Sequence, residues 1–439
     1  MTRAHRIAVV GGGYAGMAAA VELARAGRAV HVFEASRTLG GRARAVELDG
    51  RRLDNGAHIL AGAYAETLRL LHLVGAPQGL RRYPLHLEYP DEMLVAAPRW
   101  LPAPWHLIWA LASAHGLSLA EKRAAIGLMV RLKASRYRLA DNLTAAQLFA
   151  GQPARLCARL WEPLCLATLN TPAERASAQI FANVLRDTLG ADRQASDLLL
   201  PVTDLSSLFP DPAARYVEAR AGLIARGTRI GAVQRRADGY LLDGNGPFDQ
   251  VILAVAPYHL PALIDGLPEL AQLARQMAAF DYQPIVTCYL GYAGAADLPW
   301  PMAGIADGHG QWLFDLAALR RQPGTIAAVV SGRGPHQQLP PDELAARIHD
   351  QASRIVPRLE PPIWHRVIVE QRATFDCVPG LRRPPTQTAL PGLWLAGDYV
   401  DSDYPATLES AVRSGVRAAA SVIEQTSCSQ AQHAPAAAR

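Results

Sequence analysis

Ile7-Ala-Val-Val-Gly11-Gly-Gly13-Tyr-Ala-Gly16, a helical stretch to Gly27, and then Ala29-Val-His-Val-Phe33-Glu34 follow one another near the start of the chain. The order is strand, glycine turn, helix, second strand, acid. It predicts a βαβ unit that binds the ADP half of a dinucleotide. Gly11 permits the tight turn, Gly13 lets the backbone approach a pyrophosphate, and Gly16 lets the helix lie close on the strand. Ala15 belongs to the same first helical turn, whose free N–H groups and positive dipole end face the phosphates. Glu34, eighteen residues after Gly16, is spaced to accept hydrogen bonds from a ribose, with Ala35 beside it.

Two further stretches extend this site. Gly40-Gly41-Arg42 follows the ribose acid, and its arginine is a planar, permanently charged partner for a pyrophosphate. Away from a dinucleotide fold the same three residues read as a surface turn. Near the other end, Leu393-Trp-Leu-Ala-Gly397-Asp398 is an apolar strand that ends in a carboxylate, and a helix is expected from Pro405 to about Glu424. NAD needs no second site so far along a chain, whereas FAD, with its ribityl chain, does. The positive end of that helix would meet the pyrimidine side of an isoalloxazine, where charge collects on reduction. FAD is therefore the expected cofactor, and Ala406, Thr407 and Leu408 are expected beside the ring.

The chain has 439 residues, 50% of them hydrophobic, enough for more than one core. Its five cysteines are scattered with no CxxC pair, so neither a disulfide framework nor a metal site is expected. No signal peptide is read at the start, because Gly11–Gly13 interrupts the only apolar candidate. These features give a cytoplasmic expectation. The net charge of +5 is carried almost wholly by evenly spread arginine, with Lys122 and Lys133 as the lysines. No basic arm suits nucleic acid, and a Schiff-base lysine has no recognisable motif.

The expected class is α/β: a discontinuous Rossmann-like FAD-binding domain with an inserted mixed α+β substrate domain. Residues 1–80, 215–262 and 385–425 are assigned to the FAD domain. Residues 81–214, rich in helix, and 263–384, a mixed sheet, form the substrate domain, and 426–439 read as a disordered tail. Gly239–Gly246 reads as a hairpin with its turn at Asp243–Gly246. No stretch holds 18 uninterrupted apolar residues. Trp100-Leu-Pro-Ala-Pro-Trp105-His-Leu-Ile-Trp109, with Glu121-Lys122-Arg123 after it, reads equally as an interfacial helix on the inner face of a membrane and as a core helix beside a surface turn.

The motifs Gly11–Gly16, Glu34, Gly40–Arg42 and Gly397–Asp398 resemble those of the FAD-binding amine-oxidase and carotenoid-desaturase superfamily. That resemblance implies an adenine contact through the backbone near Ile230. Trp161-Glu-Pro-Leu-Cys165 through Pro172, Ser177–Phe181, Ser196–Pro212 and Leu53-Asp-Asn-Gly56-Ala57-His58 through Tyr64 resemble the hydroxysqualene dehydroxylases of hopanoid biosynthesis. The likeness spans about residues 5–422. One departure is Ala57, where that family pattern has glutamine, which leaves the polar surroundings of the flavin at that spot open. The resemblance implies hydride delivery from reduced FAD to an allylic cation formed when the hydroxyl of a long isoprenoid alcohol leaves as water. The donor that recharges the flavin is not named by any motif.

Such chemistry needs an oily tunnel and a proton donor. His58 is the first candidate acid because imidazole titrates nearest neutrality, with Tyr404, Asp403 and Asp401 as the others. The two aspartates also suit capping of the following helix. Glu162 and Cys165 are candidates for the tunnel wall, with packing the default for the thiol. A polyene desaturase or isomerase would use the same cofactor site in the oxidative direction. An amine oxidase would carry a lysine in the region Phe280–Tyr292, which has none. A catalytically silent flavoprotein that binds lipid is the reading from another class.

Overall fold

Ile7–Val10 is apolar and buried at all four positions, the environment of an inner strand covered on both faces. The computed structural model describes residues 6–305 and 307–432, and this strand is the centre of its five-stranded parallel sheet. Val30–Glu34 pairs on one side and Gln250–Leu253 on the other, and Leu223–Arg226 and Leu393–Leu395 form the edges. Opposite ends of the chain therefore meet in one sheet, and the glycine turn after Val10 lies at its carboxyl edge. Ligands bind at that edge in doubly wound sheets.

Small residues set the spacing behind the sheet. The helix Tyr14–Arg25 packs against the C-terminal helix Leu408–Gln432, and a Cβ on Gly415 would stand 2.1 Å from the Ala15 carbonyl oxygen. A Cβ on Gly16 would stand 1.9 Å from the Gly11 carbonyl oxygen. Both glycines are places where backbone meets backbone.

A second sheet has five antiparallel strands, in the order Met302–Gly304, Trp312–Asp315, Thr325–Ser331, Tyr282–Gly291, Trp364–Phe375. Along Tyr282–Gly291 the side chains alternate as a pleated strand requires. Val286, Cys288 and Leu290 pack with Leu344, Ile348 and Ala352 of the helix Pro341–Ile355. Ile285, Thr287 and Tyr289 face the other way, and the Tyr289 hydroxyl donates to the Asp54 carbonyl at 2.9 Å. The outer face is thus closed by a helix, and the inner face meets the dinucleotide fold.

Several expectations are corrected. The C-terminal helix starts at Leu408, not Pro405, because Thr407 is its cap and accepts from the Ser410 N–H at 3.2 Å. It also runs through Gln432, past the start expected for a disordered tail. Val422 and Thr426 are fully buried, so its apolar face stays engaged there. Residues 433–439 of that expected tail lie outside the described residues. The helix-rich stretch contains Trp105–Ala112, Leu119–Ala134 and Ala178–Leu189, but also the strands His86–Tyr89, Met93–Ala96 and Leu198–Pro201. Leu198–Pro201 is the middle of a small sheet between Leu60–Ala61 and Leu80–Tyr83. The hairpin Gly239–Leu242/Asn245–Phe248 forms as expected, its turn carried by Asp243 and Gly244 at φ of 46° and 82°. Trp105–Ala112 is not a core helix, since only His106 and Ala110 are buried in it.

Gly415→Ala should force the two helices apart and lower stability by about 1–3 kcal/mol, the usual cost of overpacking. Thermal unfolding would read this as a lowered midpoint, and an unchanged midpoint would contradict the close approach.

Candidate active site

No side chain caps the first turn of the helix Tyr14–Arg25, so its N–H groups are left for a ligand. Gly11, at φ +111°, turns the chain where a Cβ would strike the Ala254 carbonyl oxygen at 2.5 Å. Gly13 packs directly against Gly40–Gly41 on the cavity wall, and a Cβ on Gly13 would come 3.7 Å from the Gly41 Cα. Glu34 is fixed at both oxygens, accepting from Gly12 N–H at 2.6 Å and Ser36 N–H at 2.7 Å. The Glu34 carbonyl accepts from Thr228 N–H at 2.8 Å, which brings the loop with Ile230 to the same wall. This end has the donors, acid and narrow backbone walls that a dinucleotide phosphate and ribose need.

Arg42 lies farther in. Its guanidinium donates to an Asp398 carboxylate oxygen at 2.6 Å and to the Ala373 carbonyl at 2.8 Å. Asp398 follows Gly397, whose φ is +157° and whose absent Cβ would meet the Tyr399 ring at 2.3 Å. Although burial opposes it, the Asp398 carboxylate keeps the Arg42 pKa above the ordinary guanidinium value. Ala406, Thr407 and Leu408, just before and at the start of the C-terminal helix, line the same wall.

The loop Asn55–His58 is held from behind by a buried ion pair. Asp54 meets the Arg320 guanidinium at 2.5 Å and also accepts from Leu205 N–H at 2.9 Å. In front, the Asn55 side-chain amide donates to the Arg42 carbonyl at 3.1 Å and to Glu370 Oε2 at 3.0 Å. The His58 Nδ1 lies 2.9 Å from the Gly56 carbonyl oxygen, so Nδ1 carries the proton and Nε2 is an acceptor. Burial pushes the His58 pKa below its ordinary value.

Glu34, Arg42, Asn55, Gly56, His58 and Asp398 open into one cavity of about 1240 Å³, larger than the roughly 300–1,000 Å³ of a drug-sized ligand site. Beyond the loop its walls turn apolar. Leu107, Leu111, Met129, Leu160, Leu164 and Leu185 come from the helices, and Ile285, Trp312, Phe314 and Val329 from the inner face of the second sheet. There is room for a dinucleotide at one end and a long apolar molecule at the other.

Of the residues expected from sequence, Gly11, Gly13, Ala15, Glu34, Ala35, Gly41, Arg42, Gly56, Ala57, His58, Ile230, Gly397, Asp398, Ala406, Thr407 and Leu408 line this cavity. Gly16 lies behind it as a packing contact. Asp403 and Tyr404 do not line it. The Asp403 side chain is 73% exposed, 3.8 Å from Arg186. The Tyr404 ring lies under the Arg413 guanidinium at 4.3 Å, and burial raises its hydroxyl pKa. Neither Asp401 nor Asp403 caps the helix, because Thr407 does. Glu162 and Cys165 also lie outside the lining, and Cys165 Sγ is 3.9 Å from the Thr171 carbonyl oxygen. Sequence reasoning missed Glu370, on a strand with no motif around it, and the role of Asn55, which stands inside a block already singled out.

Comparison with known proteins agrees with this geometry. The family described as flavin-containing amine oxidoreductase matches residues 14–423. The hydroxysqualene dehydroxylase of Rhodopseudomonas palustris is 31% identical over 433 residues, covering 94% of this chain and 96% of that one. That of Zymomonas mobilis is 29% identical, covering 94% and 97%. A zeta-carotene desaturase of Synechocystis is more distant, 25% identical with 95% and 97% covered. Among solved structures, an oxidoreductase from Methanosarcina mazei shares the fold at a TM-score of 0.74 and 14% identity, with 95% of this chain and all of that one covered.

The His58 ring should be neutral with its proton on Nδ1 throughout the neutral range. Because its folded pKa lies below 6.5, its contribution to stability is present above about 6.5 and is lost as pH falls below that. Ring ¹⁵N NMR would check this, and a ring titrating at or above 6.5 would contradict it.

Proposed function

The chain belongs to the flavin-containing amine oxidoreductase family, in its hydroxysqualene dehydroxylase branch, and on that premise we propose that it uses FAD to convert hydroxysqualene reductively to squalene. The observation that carries this reading is a cavity that joins an uncapped helix start and an anchored acid to extensive apolar walls. When bound, FAD supplies the hydride that replaces the hydroxyl. In this reading the N–H groups around Gly13 and Ala15, with Arg42, hold the pyrophosphate. Glu34 takes the adenosine ribose, the backbone at Ile230 the adenine, and Asp398 the ribityl chain. Gly56–His58 and Ala406–Leu408 flank the ring.

The protein's own share of the work is positional. Apolar walls align a long isoprenoid so that one carbon meets the ring, and they exclude water that would capture an allylic cation. Since each turnover consumes a hydride, a separate donor must reduce the flavin again. A desaturase would run the same site oxidatively. The test is anaerobic: flavin reduced chemically and mixed with hydroxysqualene should reoxidise and yield one squalene per flavin. A flavin that stays reduced with this alcohol would remove the dehydroxylase reading.

The tunnel's outer end supports peripheral membrane contact. Trp105, Trp109, Leu119 and Val130 are 59%, 50%, 63% and 60% exposed, on two helices that also line the cavity. Ile108 and Val130 belong both to this exposed patch and to the cavity wall, and Lys122, Arg123 and Lys133 stand alongside. Aromatic and aliphatic side chains beside cations suit the headgroup boundary of an anionic bilayer. No helix among the described residues is long and apolar enough to cross it. A substrate dissolved in lipid would then reach the tunnel without crossing water. Replacing Trp105 and Trp109 by serine should lower co-sedimentation with anionic liposomes several-fold and leave bound flavin unchanged. Equal sedimentation of both proteins would speak against this contact.

A further inference from the structure

We propose that Glu370 is the catalytic acid that protonates the departing hydroxyl, a role that rests on the dehydroxylase reading above. Among the described residues four carboxylates line the cavity: Glu34, Asp197, Glu370 and Asp398. Three are committed elsewhere. Glu34 accepts backbone N–H groups at both oxygens. Asp398 is paired with Arg42 at 2.6 Å, and Asp197 with Arg82 at 3.1 Å and Arg193 at 3.2 Å. A carboxylate held against a guanidinium has its oxygens taken up by that pair.

Glu370 is different. Its Oε2 accepts from the neutral Asn55 amide at 3.0 Å, and its Oε1 has only a long contact of 3.4 Å from the Arg372 N–H. Among the described residues no guanidinium lies within ion-pairing distance of it, although its charge is felt by Arg42. Register places it well: Glu370 is opposite Ile285, on the face of the second sheet that meets the dinucleotide fold, and Ile285 also lines the cavity. Asn55 ties it to the loop that continues into Gly56–His58. It therefore stands on the cavity wall beside both the loop Asn55–His58 and the inner face of the second sheet, and in this proposal the substrate hydroxyl comes to it. His58 is unsuited to the same task, because its one ring proton is turned to the Gly56 carbonyl.

The step balances as follows. The Glu370 carboxyl gives its proton to the hydroxyl oxygen, and the C–O bond breaks with its electron pair leaving in water. The allylic cation is captured by the hydride of reduced flavin, so the carbon is reduced and the flavin oxidised by two electrons. Glu370, then a carboxylate, faces the transient cation and afterwards regains a proton from solvent.

The test uses the flavin-loaded, anaerobically reduced full chain in single turnover, with hydroxysqualene and with its O-acetyl ester, whose leaving acetate needs no proton. Glu370→Gln should slow flavin reoxidation by the alcohol about 10²–10⁴-fold, the usual contribution of a general acid. With the ester it should react at close to the wild-type rate, and its bound-flavin spectrum should be unchanged. A Glu370→Gln enzyme that is fast with the alcohol, or equally slow with both substrates, would overturn the proposal. Should that variant not hold flavin, Glu370→Asp decides the matter. Slowing confined to the alcohol supports the acid, and equal slowing on both substrates rejects it. If the wild type itself fails with the alcohol, the dehydroxylase reading falls instead.

Discussion

The guanidinium of Arg42 lies where three remote parts of the chain meet. It comes from the loop after the first βαβ unit, and it bonds the carboxylate of Asp398 and the carbonyl of Ala373 on the last strand of the second sheet. Its own carbonyl accepts from Asn55, which in turn reaches Glu370. A planar fork of donors can serve partners in several directions at once, which a lysine ammonium does less rigidly. The pair is mostly buried, with side-chain exposures of 25% and 8%. Removing one partner of such a pair strands the other charge, at a typical cost of about 3–5 kcal/mol. This junction ties the dinucleotide fold to the second sheet, alongside the bond from the Tyr289 hydroxyl to the Asp54 carbonyl.

That cavity is graded. At the nucleotide end, glycine backbones, a helix start and fixed carboxylates supply charge and hydrogen bonds. At the other end leucines, phenylalanine and the ring of Trp312 make the walls mainly apolar. In the proposed reaction a cation formed at the boundary would have polar groups on one side and apolar walls on the other, a setting in which fixed dipoles act strongly. The buried Asp54–Arg320 pair lies behind this boundary and keeps the loop Asn55–His58 in place. Its function is positional rather than chemical.

The outer helices continue the gradient to the surface. Trp105, Trp109 and Val130 are exposed although large and apolar, while their helix neighbours Leu107 and Met129 face the cavity. An exposed apolar patch that is continuous with a tunnel wall has a simpler account than two unrelated features. In the proposed membrane contact it would give a lipid-dissolved substrate a path from one apolar phase to another.

Much of this was legible in the residues because its signals are local. Gly11–Gly16, Glu34 and Gly397–Asp398 each sit within a few residues of the strand that positions them, so spacing alone predicted a dinucleotide site. The hairpin turn at Asp243-Gly244 is equally local, set by residues that tolerate positive φ. The start of the last helix was misread because Pro405 suits a first turn as well as Thr407 suits a cap, and only the hydrogen bond to Ser410 separates them. The helix runs past Thr426 because the burial of that residue depends on its neighbours in space. Asp403 and Tyr404 lay near the expected flavin in sequence, but the loop turns them toward Arg186 and Arg413. Glu370 carried no local sign at all: its partner Asn55 is 315 positions away. Thus the sequence by itself determined the nucleotide fold, through short-range backbone geometry and periodic burial. Only the tertiary structure decided which cavity carboxyl is bonded by a side-chain amide rather than by a guanidinium or two backbone N–H groups, because such pairing depends on which distant strands are brought together.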